Sequence, residues 1–238
     1  MIGLGTAINV AGIITGGLSG LLFGKKMEER YQSILMNAAG ICVLFLGIAG
    51  AMKEMLAIEQ GKLTSGGTIM MIASFSVGAL MGEWMNIELR MEQFGKWLKI
   101  KTKSDGDATF VDGFVNASLT VCIGAMAVVG SIQDGISGDY TVLTAKAILD
   151  LIIILVMTVS LGKGCIFSAI PVALFQGTIT ILARFIQPVM TEQALSNLSL
   201  TGSILIFCVG VNLVWGKMIK VANLLPALVL AVVLAFFL

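Results

Sequence analysis

Long apolar stretches alternate with short polar ones along almost the whole chain. Most of the apolar stretches approach the ~20 residues that a helix needs to cross a bilayer core of about 30 Å. The pattern therefore predicts about eight transmembrane helices. They lie near residues 3–24, 34–52, 67–85, 111–132, 142–162, 165–186, 199–216 and 221–238.

Two features leave seven as an alternative count. Only Lys163 and Gly164 separate the fifth stretch from the sixth, so these two could form one long segment. The last two stretches are short and could form one span plus a re-entrant piece.

Composition supports a membrane location for the whole chain. Hydrophobic residues make up 57% of it and charged residues 12%, and the mean hydropathy is +0.98. A soluble domain carries roughly 25% charged residues. We therefore expect an all-α, polytopic transmembrane bundle that forms a single domain over residues 1–238.

The distribution of Lys and Arg predicts the orientation of the chain. If the N-terminus lies outside, most of the 15 Lys and Arg residues fall in cytoplasmic loops, as the positive-inside rule requires. With eight spans, both termini are then outside. The largest loop carries an expected amphipathic helix over residues 86–110, in which Ile87, Phe94 and Trp97 recur at helical spacing.

A short motif recurs along the chain and suggests repeated helical hairpins. Four helices are expected to end in glycine plus a charged residue, the first being Gly24-Lys25 and the last Gly216-Lys217. Transporters are often built from internal duplications. The expected hairpins cover about 3–56, 67–132, 142–186 and 199–238.

Several classes of function are disfavoured by composition. The chain has no histidine, which removes the commonest general base and metal ligand. Its four cysteines form no Cys-x-x-Cys pair, and the net charge is +1 without a basic face for nucleic acid. We expect no enzyme activity, no cofactor and no nucleic-acid partner, and the sequence leaves metal binding undecided.

The first helix carries a glycine face. Gly12, Gly16, Gly20 and Gly24 are spaced four residues apart, which places them on one side of a helix and lets another helix approach closely. We interpret this face as a packing surface, either inside the bundle or at the seam of a homodimer.

The richest polar segment is expected at the outer face. Gly130 and Gly135 bracket Gln133 and Asp134, and Asp139 follows. Glycines at these positions could unwind the helix end and free carbonyl groups beside a carboxylate, as in solute-binding sites. The alternative is an ordinary capped loop.

Two charged residues fall inside the fifth stretch. Lys146 and Asp150 are four residues apart and thus share a helical face. A carboxylate at this depth must be paired, solvated or protonated, so we expect the pair to face the bundle interior. It is either part of a transport path or a structural ion pair.

Amide side chains extend this candidate path. Asn37 and Asn116 lie near the expected cytoplasmic helix ends, and Gln176 is central in the sixth stretch. Such groups line polar pathways, but they also hydrogen-bond helices to one another as structural contacts.

Motifs over essentially the whole chain resemble the YqgA/YdfK-like bacterial inner-membrane proteins, domain-of-unknown-function family 554. They are Gly130-Ser131-Ile132-Gln133-Asp134-Gly135, Gly138-Asp139, Lys146, Leu149-Asp150, and Phe167 to Pro171 before Gln176. Leu151 stands where the family commonly has a glycine. The resemblance implies a bacterial inner-membrane location and no particular activity.

Together these features favour a transporter or channel for a small ion or polar solute. Its path would use Asp150, Lys146, Gln133, Asp134, Asp139, Gln176, Asn116 and Asn37. The alternative is a non-transporting membrane scaffold or sensor that dimerises through its glycine face. The expected partners are the lipid bilayer, the solute and, in the alternative, a second copy.

Overall fold

The computed structural model describes residues 2–24, 28–59, 61–104, 106–122 and 125–237. Most of these residues are helical, which confirms the predicted all-α class. The helices are α1 Leu4–Gly24, α2 Glu29–Met55, α3 Thr68–Met85, α4 Ile87–Lys101, α5 Phe110–Cys122, α6 Ala125–Ser137, α7 Thr141–Leu161, α8 Ala169–Ile181, α9 Ala183–Ile186, α10 Glu192–Trp215 and α11 Pro226–Leu234. Short 3₁₀ turns occupy Lys163–Ser168, Gln187–Val189 and Val221–Leu224.

Within the described ranges, six helices are long and apolar enough to cross a membrane. A seventh crossing arises if α5 and α6, which are bent by 62° relative to each other, count as one span. By length and composition the described residues thus support six or seven spans, in agreement with the alternative count of seven and fewer than the predicted eight. The six are Leu4–Gly24, Ser33–Met55, Thr68–Met85, Thr141–Leu161, Lys163–Ile181 and Glu192–Trp215.

The predicted eighth span, 221–238, is wrong in its length. It consists of a 3₁₀ turn and then α11, whose nine residues cover only about 14 Å at 1.5 Å per residue. Pro226 begins α11 and cannot continue a preceding α-helix. The preceding span is longer than expected, because α10 already begins at Glu192, capped by the Thr191 hydroxyl.

A β-hairpin follows α2, between two of the apolar stretches, where no strand was predicted. Its strands are β1 Leu56–Glu59 and β2 Lys62–Ser65, paired antiparallel with Leu56 opposite Ser65. Gly61, at the turn, has a φ of +78°, a conformation that glycine adopts without strain.

The chain divides into two compact units, which we describe separately. Unit 1 contains Met1–Ala39, Leu89–Cys122 and Met126–Ile186, and unit 2 consists mainly of Gly40–Glu88 and Gln187–Leu238. The amphipathic helix α4 begins in unit 2 and continues in unit 1, where Phe94 packs on Phe114 with ring centroids 5.7 Å apart.

In unit 1 the glycine face of α1 packs against α7. A Cβ atom added at Gly12 would lie 2.8 Å from the carbonyl oxygen of Ala147, and one at Gly16 would overlap the carbonyl oxygen of Leu151. Gly20 faces Leu155 in the same way. Residue numbers rise together along both helices, so α1 and α7 run parallel at a separation that no side chain larger than hydrogen would allow.

Helix α7 ends where a glycine takes a conformation that other residues avoid. Gly162 has φ +77° and ψ −167°, a region populated almost only by glycine. The following 3₁₀ turn, Lys163–Ser168, packs against α5, where Gly164 contacts the backbone of Phe110. Gly216 ends α10 in the same region, with φ 82° and ψ −178°.

Unit 2 is built on two antiparallel, glycine-mediated contacts. Gly47 of α2 lies against Phe207 of α10, and Gly50 lies against Ser203. As residue numbers rise along α2 they fall along α10, so these helices are antiparallel. Helix α3 meets α11 in the same sense, since Gly78 contacts Ala227 and Gly82 contacts Asn223. The predicted hairpin repeats stay a prediction.

Candidate functional site

The buried centre of unit 1 contains an ion pair on α7. Lys146 and Asp150 stand one helical turn apart, and Lys146 Nζ lies 2.5 Å from Asp150 Oδ2. The residues are 6% and 3% exposed, so both charges are removed from solvent and lipid. The pair therefore satisfies one sequence expectation, that these charges face the interior.

The Lys146 ammonium has a second partner at the end of another helix. Its Nζ donates a hydrogen bond of 2.8 Å to the carbonyl oxygen of Val121. Val121 belongs to the last turn of α5, which ends at Cys122. Carbonyl groups in a last turn have no intrahelical partner and carry the negative end of the helix dipole. The ammonium thus neutralises a carboxylate and a helix C-terminus together.

Asn9 of α1 completes this cluster. Its side chain is fully buried and lies beside the Asp150 carboxylate. The Asp150 carboxylate can accept a hydrogen bond only from the Nδ2 group of this amide. The Oδ1 atom of Asn9 has no hydrogen-bond partner among the described protein atoms and can therefore accept a further ligand. Sequence reasoning missed it, because a lone asparagine in a first helix carries no recognisable pattern.

Further buried polar side chains in unit 1 lack hydrogen-bond partners. Buried polar groups in proteins normally have a partner, and an exception calls for a water, an ion or a functional reason. The clearest case is Gln176 on α8, which is fully buried with both amide atoms unpaired. Unit 1 has further buried side-chain atoms without a partner, which belong to Thr6, Ser118, Ser131, Gln133, Thr144 and Thr180.

The predicted unwinding around Gly130 and Gly135 is wrong. Helix α6 runs without interruption from Ala125 to Ser137, and the discontinuity lies instead between the end of α5 and the start of α6. Gly135 serves close packing, because an added Cβ would overlap the Thr180 carbonyl oxygen. The glycines here allow a close approach rather than a break.

Asp134 stabilises the start of α1. Its carboxylate accepts hydrogen bonds from the amide groups of Gly3 at 3.2 Å and Gly5 at 3.0 Å. These amides belong to the first turn of the helix or precede it, where donors lack intrahelical partners and the dipole favours an anion. Asp134 is fully buried, so the structure assigns its oxygens to helix capping.

Asp139 is exposed and precedes α7. Its carboxylate accepts a hydrogen bond of 3.0 Å from the Thr141 amide. The Thr141 side chain and amide together hold the pKa of Asp139 below its usual range. Asp139 is therefore a local cap of α7 and does not join the buried cluster.

Two asparagines of the predicted path lie outside the cluster. Asn37 on α2 has an exposed side chain, and Asn116 on α5 is half-buried. Helix α7 also continues through Leu151 without a break, as expected where the family's glycine is missing. The cluster that the structure assembles contains Lys146, Asp150, Asn9 and the Val121 carbonyl.

A second charged cluster, in unit 2, was not predicted. Buried Glu88 pairs with Lys217 at 3.1 Å and accepts a hydrogen bond of 3.0 Å from the Ala222 amide. Glu83 accepts a hydrogen bond of 2.7 Å from Lys220 Nζ and one of 2.6 Å from the side-chain amide of Asn223. Since each carboxylate here is satisfied, the cluster holds the segment after α10 against the junction of α3 and α4.

The described residues contain no group of three or more Cys, Asp or Glu side chains that could hold a metal ion. The candidate site is therefore the cluster around Lys146 and Asp150. It combines one carboxylate, one ammonium, a helix-terminal carbonyl and an amide, all buried between apolar helices.

Helices of spanning length around a buried polar interior define a helical membrane protein. The chain belongs to the family described as "Protein of unknown function (DUF554)", which it matches over residues 4–236, and this confirms the resemblance seen in its motifs. No solved structure matches the chain.

Two relatives cover almost the whole chain. The "Uncharacterized membrane protein YdfK" of Bacillus subtilis (strain 168) is 32% identical over 232 residues, which is 98% of this chain and 95% of the relative. The "Uncharacterized protein YqgA" of Escherichia coli (strain K12) is 26% identical over 236 residues, which is 98% of this chain and 96% of the relative. The chain is thus similar, over almost its whole length, to a relative that is named as a membrane protein.

Proposed function

We propose that the protein is a transporter or channel that passes a small ion or polar solute through the interior of unit 1. The observation that carries this proposal is the Lys146 and Asp150 pair at the end of α5. Discontinuous helices that present carbonyl groups at membrane depth are a recurrent way to build solute sites in transporters. Ionisable residues inside a membrane are costly and are usually functional.

The unpaired polar groups supply the second argument. A purely structural ion pair explains Lys146 and Asp150, but it does not explain why Gln176 and other buried side chains lack partners. Those groups would be satisfied by water or solute in a hydrated path. A path of this kind needs no catalytic group, and we propose no enzyme activity.

The scaffold or sensor alternative receives less support. It requires the glycine face of α1 for dimerisation, and Gly12, Gly16 and Gly20 are packed against α7 of the same chain. A dimer would need another surface, so we keep a bacterial inner-membrane transporter with its N-terminus outside as the proposal.

The test is a flux assay on purified protein in liposomes. Wild type and the variants Asp150→Asn and Lys146→Met are reconstituted separately into liposomes that enclose ion-sensitive and pH-sensitive dyes. Fluxes of alkali cations and protons into the liposomes are then recorded. We expect flux in wild type and at least a tenfold loss in both variants, because each removes one half of the buried pair.

Glu88→Gln provides the matched control. It also breaks a buried acidic contact to a lysine, Lys217, but it lies in unit 2 and outside the proposed path. Retained flux in Glu88→Gln beside lost flux in Asp150→Asn supports the proposal. Wild-type flux equal to that of protein-free liposomes for every ion and for small polar solutes would refute it.

A further inference from the structure

The surroundings of the Lys146 ammonium have the chemistry of a cation site. Nζ is held by a carboxylate oxygen of Asp150 at 2.5 Å and a carbonyl oxygen of Val121 at 2.8 Å. Carboxylate, carbonyl and amide oxygens are the ligands that hard cations take in proteins. The amide oxygen of Asn9, which lies beside Asp150, has no hydrogen-bond partner among the described residues.

Charge balance determines which cation would fit. Asp150 contributes one negative charge and the C-terminus of α5 about half a charge more, while Lys146 contributes one positive charge. Replacing the ammonium by a monovalent cation leaves the net charge of the buried site unchanged. A divalent cation would change the net charge of the site from about minus one half to about plus one half. Only a monovalent cation therefore replaces the ammonium without altering the charge of the buried site.

We propose that the Lys146 ammonium is the tethered occupant of a monovalent-cation site formed by the Asp150 carboxylate, the Val121 carbonyl and the Asn9 amide oxygen, and that a free monovalent cation takes its place when the lysine withdraws. The flexible four-carbon stem of lysine permits such a withdrawal. This inference rests on the proposed function and narrows its solute class to monovalent cations. Exchange of one positive charge for another would also keep the path from holding an unpaired carboxylate at any stage.

The first test removes the tethered cation. Lys146→Met removes the ammonium, keeps an unbranched side chain of nearly the same length as the lysine stem, and leaves the oxygen ligands in place. The melting temperature of the purified variant is measured in NaCl or KCl from 1 to 100 mM, with a bulky organic cation holding the ionic strength constant. If the cation binds near the low end of this range, mass action raises the melting temperature by about 5 °C or more.

Two comparisons make this result specific. Wild type should respond much less, because its own ammonium competes for the site. The double variant Lys146→Met with Asp150→Asn should not respond, because it lacks the carboxylate. A folded Lys146→Met variant whose melting temperature is independent of Na⁺ and K⁺ would overturn the proposal.

A second variant serves if Lys146→Met cannot be purified. Asn9→Asp keeps Lys146 and adds a second carboxylate of nearly the same shape, so the site gains a negative charge that a monovalent cation can neutralise. We expect its melting temperature to rise with Na⁺ or K⁺ and that of Asn9→Leu to stay constant. Absence of a response in Asn9→Asp would likewise overturn the proposal.

Binding and transport can fail separately in these experiments. The melting assay needs no flux, and Lys146→Met is expected to bind the cation while transporting it poorly, because no lysine remains to displace it. Flux of a polar solute by wild type without cation binding in either variant would remove the monovalent-cation assignment and leave the transporter. Cation binding without wild-type flux would retain the site and remove the transporter.

Discussion

Replacing Gly16 by alanine tests the close contact between α1 and α7. The added Cβ would overlap the carbonyl oxygen of Leu151, and a backbone atom cannot rotate away as a side chain can. Overpacking of this kind costs typically 1–3 kcal/mol, and separation of two fully packed helices places the expected cost at the upper end. Alanine regains about 1 kcal/mol of helix propensity, so we expect a net loss of about 2 kcal/mol.

For a chain of this length, such a loss lowers the melting temperature by about 4–8 °C. The assay heats detergent-solubilised protein and measures the fraction that still elutes as a monodisperse peak in size-exclusion chromatography. Gly24→Ala should lose less, since its Cβ would lie 3.3 Å from Val159 and needs only a small shift.

Gly177→Ala is the matched control. Gly177 lies within α8, and a Cβ added there meets no atom within 4 Å, so alanine should leave the melting temperature unchanged or raise it slightly through helix propensity. If Gly16→Ala and Gly177→Ala melt alike, α1 and α7 do not pack at the distance described, and the reasoning fails.

Three further substitutions probe the polar contacts. Asp134→Leu should lower stability by about 1–3 kcal/mol, because two amides at the start of α1 lose their acceptor; an unchanged melting temperature would contradict the capping role. Asp139→Asn should lower the melting temperature at neutral pH, and since the pKa of Asp139 is depressed by Thr141, the difference from wild type should vanish as pH falls through that lowered pKa; a difference that grows towards acid would contradict it. Asn212→Leu should destabilise the protein in thermal melts, because Asn212 bonds the backbone of residues 218 and 219, and Asn212→Asp should retain part of that stability.

The uninterrupted spans were predictable because hydrophobicity and helix-ending residues agree there. The apolar stretches over 3–24, 67–85 and 142–162 correspond to Leu4–Gly24, Thr68–Met85 and Thr141–Leu161 within a residue or two. A bilayer imposes a minimum length, and Gly162 ends its helix by adopting a positive φ. Both constraints are local, so they can be read from the sequence.

The break between α5 and α6 was not predictable in the same way. The centre of the stretch 111–132 has neither proline nor charge. The glycines at 130 and 135 suggested unwinding near the C-terminal end of α6, where the helix is in fact continuous. Both glycines contact other helices, Gly130 at Leu143 of α7 and Gly135 at Thr180 of α8. A single sequence does not show such contacts between distant segments.

The candidate site was predictable only in its first pair. Spacing alone placed Lys146 and Asp150 on one helical face. Their neighbours, Val121 and Asn9, come from α5 and α1, and a single sequence does not say which helices meet. The hydrogen-bonded role of Asp134 was missed for the same reason, since its partners lie about 130 residues away.

The relative directions of the glycine-packed helices also constrain the number of membrane crossings between them. A chain changes side with each crossing, so two parallel spans must have an odd number of crossings between them. Helices α1 and α7 run parallel, and α2 and α3 are two candidate spans between them. A single span made of α5 and α6 would complete the odd number.

The antiparallel contact of α2 with α10 gives the same answer independently. An even number of crossings must separate these helices, and α3, α7 and Lys163–Ile181 supply three. A single span made of α5 and α6 would again supply the fourth. The directions of the glycine-packed helices thus agree with the count of seven candidate spans that includes the bent pair.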